Sequence, residues 1–291
     1  MVGWQVCVRG VRTHGPGYWD WSRFRVLRAH AKGGLGVVSV AEDMELHREV
    51  ALKEIQPGFT GDQSSRNRFV MEAEITGRLE HPGIVPVYGL GRRSDGNPYY
   101  AMKFIRGDSL QDATKDFYSK FADSIPYESM EFRKLLGRFI DTCEAIEYAH
   151  SRGVLHRDLK PDNVMLGKYG ETLVVDWGLA KVNGVTDNIG IKGEPILHIS
   201  SDTKADQTRE GSVIGTPAYM PPEQATGRLE QLGPASDVYS LGAILYFLLT
   251  GRRPFQEQTI KEILKKVEVG DFHAPKMLRK SVPKALETIC L

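Results

Sequence analysis

Long apolar runs are missing from this 291-residue chain. The longest lies around Ile244 to Leu249, far short of the roughly 20 residues that span a bilayer, so no membrane segment is expected. Cysteine is scarce. Cys7, Cys143 and Cys290 stand far apart, with neither a metal-binding spacing nor a disulfide framework, which predicts a reducing, cytoplasmic setting. No basic stretch followed by an apolar one opens the chain, so no signal peptide is expected. Neither sign of charge is in excess. A formal net charge of +1 removes any bulk electrostatic case for nucleic acid or a membrane surface. No internal repeat occurs, and nothing fixes an oligomeric state. What is present is a globular composition, 41% apolar and 26% charged, long enough for one large domain or two lobes. Met1 to Ser22 fits no period and is given no structure.

The densest chemistry lies in HRDLKPDN, His156 to Asn163, which sets Asp158, Lys160 and Asn163 between the apolar runs Gly153–Leu155 and Val164–Leu166. Polar side chains pinned between buried runs predict a rigid loop. Two short strands follow, NVML and TLVVD, joined by GKYG. An antiparallel hairpin would bring Asn163 beside Asp176, and two hard oxygen donors at a strand edge suit Mg²⁺.

Upstream, FRVLRAH, AKGGLG and VVSVAED predict strand, turn and strand. The glycines at 33, 34 and 36 let the backbone approach a phosphate closely. No Gly-Lys-Ser/Thr follows, so this is not a Walker A loop. In REVALKEI, Ala51 and Lys53 share one strand face. RNRFVMEAEITGRLEH predicts a helix with Phe69, Ala73, Thr76 and Leu79 inward and Glu72 on the same stripe. A carboxylate there needs a cation, and Lys53 is the natural one. Residues 111–130 read as an irregular helix with an insertion. Glu131 to Arg152 reads as an amphipathic helix burying Phe132, Leu135, Leu136, Phe139, Ile140, Cys143 and Ile146. Residues 179–214 read as one long polar loop.

Together these motifs, in this order from about Phe24, resemble eukaryotic-type (Hanks-type) serine/threonine protein kinases of the bacterial subgroup. The resemblance implies an α+β fold of two lobes: a small antiparallel β-sheet lobe with one helix over 23–106, and a larger, mainly helical lobe over 107–291. It implies ATP and Mg²⁺ as cofactors and Ser/Thr hydroxyls of proteins as acceptors. Asp158 would accept the substrate proton, Lys160 would contact the γ-phosphate, and Lys53, held by Glu72, would steady the α- and β-phosphates. Gly33, Gly34, Gly36, Val38 and Ala51 would line the nucleotide site. Met102 would be the gatekeeper in NPYYAMKFIRGDSL, with Lys103 to Ile105 as the hinge. Asn163 and Asp176 would hold the metal. Thr216 in GTPAY would dock substrate. Arg157 would receive an activation-loop phosphate at Thr208, or secondarily at Ser212.

Three departures from the family pattern stand out. Ala31 replaces the first loop glycine, and Trp177 replaces the aromatic residue of Asp-Phe-Gly. The family's last helices are expected to be missing, which would strand the acid Glu223 of PPE without its arginine. The rival class is a nucleotide-binding pseudokinase or scaffold. The presence of Lys53, Glu72, Asp158, Asn163 and Asp176 favours the enzyme. A small-molecule phosphotransferase fits less well, because the GTPAY–PPE segment is intact.

Overall fold

The structure, a computed structural model, describes residues 19–121, 125–178, 181–182 and 216–291. Thr208 and Ser212 lie outside the described residues.

The first lobe is a six-stranded sheet ordered β1-β5-β6-β4-β3-β2. Its strands are β1 (Trp19–Asp20), β2 (Phe24–Lys32), β3 (Gly36–Asp43), β4 (Arg48–Ile55), β5 (Val87–Arg92) and β6 (Pro98–Lys103). All pairings are antiparallel except β1 on β5. The first two strands therefore lie at opposite edges, linked only by the single turn Trp21–Arg23. Trp21 meets Tyr99 edge-on at 4.9 Å, and Arg23 clamps Asp43 through two bonds of 2.9 and 2.7 Å. The end of the segment that sequence left without structure is thus part of the sheet, held by contacts that no local period reveals.

Helix α1 (Gln63–Arg78) begins three residues before the segment expected from Arg66. Asp62 caps it, accepting from the N–H groups of Ser64 and Ser65. The helix buries Phe69, Glu72, Ala73, Ile75 and Thr76 against the sheet.

The second lobe is mainly helical. After β7 (Gly107–Ser109) comes α2 (Leu110–Lys120), a regular helix where an irregular one was expected. Ser109 caps it on the Asp112 N–H, so the terminus is specified locally. Helix α3 (Met130–Ser151) is capped by Ser129 and buries Phe132, Leu135, Thr142, Ala145, Ile146 and Ala149. Ile140 was expected inside but is 51% exposed. At 100° per residue it falls on the face opposite that stripe. Leu136, Phe139 and Cys143 are only partly buried beside it.

Strand β8 (Val154–Leu155) leads to the octet His156–Asn163, and β9 (Val164–Gly167) and β10 (Thr172–Val174) form the hairpin after it. Strand β11 (Lys181–Val182) pairs with β8. Then follow α4 (Pro222–Ala225), α5 (Pro234–Thr250), α6 (Ile260–Val269), α7 (Pro275–Leu278) and α8 (Lys284–Cys290). Helix α5 is apolar around most of its circumference and runs through the core. It ends at Gly251, whose φ of 71° is the left-handed cap that glycine adopts without strain. Glu223 is half-buried and accepts from the Ser236 hydroxyl, which corrects the expectation of a buried, stranded carboxylate. Arg279 is engaged elsewhere, donating to Thr250 O at 2.9 Å and lying over the Tyr118 ring. No helix among the described residues is long and apolar enough to cross a membrane.

Candidate active site

Between the lobes lies a cleft of about 710 Å³, within the range of small-molecule sites. It brings together Gly33, Gly34, Gly36, Val38, Ala51, Lys53, Glu72, Met102, Lys103, Ile105, Asp158, Lys160, Asn163 and Asp176.

On the roof, β2 runs through Ala31 to Lys32, pairing Ala31 with Val38. A residue in that extended register needs no glycine, so the departure at Ala31 leaves the strand intact. Gly36 does need to be glycine: a Cβ there would stand 2.8 Å from Lys53 Cε and 3.2 Å from Glu54 O. Its bare backbone is what admits the Lys53 side chain.

Lys53 is buried and bonds Glu72 Oε1, with Asp176 Oδ1 at 3.3 Å. Burial works against its ammonium, but the carboxylates of Glu72 and Asp176 outweigh it and hold the pKa well above the usual lysine value. Gly178 closes this corner, since a Cβ on it would lie 3.1 Å from Glu72 Oε2. At the hinge, Lys103 N–H donates to Pro86 O at 3.0 Å, so its backbone donor is not available to a ligand.

On the floor, Asp158 is the centre of a three-sided network. Its Oδ1 accepts the Thr216 N–H at 2.9 Å, and its Oδ2 accepts Lys160 Nζ at 2.9 Å. Lys160 also donates to Thr216 Oγ1 at 2.9 Å. The network fixes the Asp158 carboxylate while leaving it on the cleft wall.

Asn163 and Asp176 come together as the hairpin predicts. Val164 pairs with Val174, and Val175 N–H donates to Asn163 O at 2.9 Å. Asn163 Nδ2 donates to Asp158 O at 2.9 Å, which turns the oxygen end of the amide away as a potential ligand. Asp176 sits at φ 63°, uncommon for a non-glycine residue, and its carboxylate is half-exposed to the cleft. Burial raises its pKa, but Lys53, His156 and Lys160 more than compensate and hold it below 3.8. An ionised carboxylate and an amide oxygen are hard donors that fit Mg²⁺.

Three contributors escaped the sequence reading. Asp237 of α5 is 1% exposed and accepts the N–H of His156 and of Arg157, each at 2.9 Å, and bonds His150 Nε2 at 2.7 Å. It anchors the loop where Arg157 takes φ 68°. Gln224 Nε2 donates to Arg157 O at 3.0 Å. Tyr100 donates to Glu72 Oε1 at 2.7 Å. Trp177 is buried against the His156 ring at 4.6 Å.

A mostly antiparallel sheet with one helix, set over a helical lobe whose loops line the shared cleft, defines a protein of the kinase class. The chain belongs to the protein kinase domain family, whose sequence profile matches residues 24–287. The serine/threonine-protein kinase PknD of Protochlamydia amoebophila is 38% identical over 255 residues, covering 87% of this chain and 25% of that protein. PknD of Chlamydia trachomatis serovar L2b is 39% identical over 242 residues (81% and 25%), and PknD of Chlamydia felis 36% over 245 (83% and 25%). The chain spans about a quarter of the length of the curated relatives it matches.

Proposed function

We propose that this chain transfers the γ-phosphate of ATP to Ser/Thr hydroxyls of protein substrates, itself among them. The observation that carries the reading is the Asp158 carboxylate held by Lys160 and Thr216 across the cleft from the Lys53–Glu72 pair. Asp158 orients the acceptor hydroxyl and takes its proton as the new P–O bond forms. Lys160 lies beside it, where its charge offsets that of the transferring phosphoryl group. Lys53 steadies the α- and β-phosphates, and the backbone of Gly33, Gly34 and Gly36 covers them. Val38, Ala51 and Met102 offer apolar walls to the base, and Lys103 to Ile105 its polar edge. Asn163 and Asp176 would hold Mg²⁺, which when bound supplies positive charge to the phosphate oxygens. The protein's contribution is positioning and preorganised charge.

The lobes divide at 23–106 and 107–291, with Trp19–Ser22 joining the first. The free, half-buried thiols of Cys143 and Cys290 favour a cytoplasmic setting. The test is incubation with labelled ATP, Mg²⁺ and a generic Ser/Thr protein substrate, with Asp158→Asn as control. Label entering serine or threonine with the wild-type chain, and not with the variant, supports the reading. No transfer by pure, folded protein defeats it.

A further inference from the structure

Lys53 and Tyr100 are directly opposite each other in the β4–β6 ladder, so both side chains leave the same face of the sheet. Both reach one acceptor. Lys53 Nζ and the Tyr100 hydroxyl each donate to Oε1 of Glu72 on α1. Tyr100 is 2% exposed and Glu72 3%, so little water competes for these bonds. The Tyr100 ring packs on Phe69 of the same helix at 5.3 Å. Helix α1 is therefore tied to the sheet at Glu72 by a neutral donor as well as by a charged one.

We propose that Tyr100 is a positioning residue that holds Glu72, and with it α1, inward independently of Lys53. The inference rests on the phosphotransfer reading of the cleft. Its physical basis is a division of labour. Lys53 has three N–H donors, and it already faces Asp176 at 3.3 Å as well as Glu72. When phosphate oxygens compete for that ammonium, Glu72 would lose part of its one charged partner among the described residues. A second donor keeps the buried carboxylate paired through the turnover, so α1 is not released each time Lys53 shifts its bonds. Burial, and then the charge of Glu72, push the Tyr100 phenol well above 10, so it remains a donor at working pH. The contact with Phe69 is apolar and survives loss of the hydroxyl, so the two roles of the side chain can be separated.

The experiment is a double-variant cycle on the full chain, read by thermal melting and by steady-state kinetics. Tyr100→Phe keeps the ring and removes the donor. In the wild type, kcat should fall about tenfold, with the KM for ATP changed less than about twofold. In Lys53→Met, where Tyr100 is the remaining donor to Glu72 Oε1 among the described residues, Tyr100→Phe should lower Tm by at least about twice as much as in the wild type. A double variant that fails to fold while both single variants fold is the same result in extreme form. In Glu72→Leu the hydroxyl has no acceptor, and Tyr100→Phe should leave Tm unchanged. Additive melting shifts, an equal cost in the Glu72→Leu background, or an unchanged kcat would overturn the proposal. A wild-type chain with no transferase activity would count against the reading of the cleft, while the melting cycle would still decide the role of Tyr100.

Discussion

Replacing Asp237 by Asn removes one charge and few atoms, yet it strikes the contact on which the His156–Asn163 loop depends. The carboxylate serves three donors: His156 N–H and His150 Nε2 at Oδ2, and Arg157 N–H at Oδ1. An amide has one oxygen and one NH₂. With the oxygen toward Arg157, the NH₂ meets His156 N–H; with the amide turned over, it meets Arg157 N–H. His150 can change tautomer to suit, but one backbone donor is orphaned in either pose. An orphaned buried donor costs about 1–3 kcal/mol, and the surviving bonds lose their charge assistance. The sum is about 2–4 kcal/mol. At about 2–4 °C per kcal/mol for a large domain, Tm should fall by about 4–16 °C. The kinetic effect has a separate cause. Arg157 is held at φ 68°, a conformation costing on the order of 1–3 kcal/mol that persists only while its surroundings enforce it. Released from Asp237, the loop should relax and carry Asp158 off line, so kcat should drop well beyond any change in KM. Differential scanning calorimetry and initial-rate kinetics on the two proteins decide the matter. A variant melting within about 2 °C of wild type with unchanged kcat would refute the anchoring role.

Asp158→Asn should melt and bind nucleotide like the wild type while losing about 10²–10⁴-fold in transfer rate, checked by phosphate incorporation into a generic substrate; near wild-type transfer would remove Asp158 from its role. Lys53→Met should cut turnover about 100-fold or more and nucleotide affinity far less, measured by kinetics beside calorimetric titration; parallel losses in both would count against it. Asp43, Asp176 and Asp237 should make the fold acid-sensitive. Burial raises each pKa, but bonding to Arg23, to Lys53 and to His150 respectively overcomes it and leaves each below 3.8. Their contribution is therefore complete above about pH 4 and is lost as pH falls through the depressed native values, so Tm should be level from pH 7 to 5 and drop steeply below 4. Asp43→Asn, tested by melting across that range, should lower the plateau and flatten the drop.

Motifs built from adjacent residues were legible because the chain itself fixes their geometry. The octet from His156 to Asn163 folds into one loop, and the strand pair behind it carries Asp176 back beside Asn163. Helix termini were legible in principle. Asp62 before two serines, and Ser109 three before Asp112, are capping signals that the apolar pattern read over α1 and α2 left unused. The misplaced Ile140 has a different origin. An apolar side chain is evidence for burial only when the partner surface is known, and α3 fills its stripe with Thr142, Ala145 and Ala149. Asp237 was legible as the opening of a buried helix but its contact was not, because the N–H it accepts from His156 lies 81 residues away and only the packing of α5 brings the two together.

Glu72 marks where such reading stops. Its place on an apolar stripe announces that a buried carboxylate needs a partner, and the preceding strand REVALKEI offers Lys53. The demand is legible, but the number of partners is not. Tyr99 and Tyr100 are adjacent, both buried, and equal as sequence. Alternation sends them to opposite faces of β6, and Tyr99 joins Trp21 and Phe24 on the outer side. Which of the two turns toward α1 depends on register. The pairing of Lys53 with Tyr100 decides it, and a slip of one residue would send Tyr99 to Glu72 and put Tyr100 in the outer cluster. Register in this sheet is set by its whole apolar pattern and by the clamp of Arg23 on Asp43 at its rim. The second donor to Glu72 is thus a property of the assembled sheet, which is why no reading of the β6 segment alone could assign it.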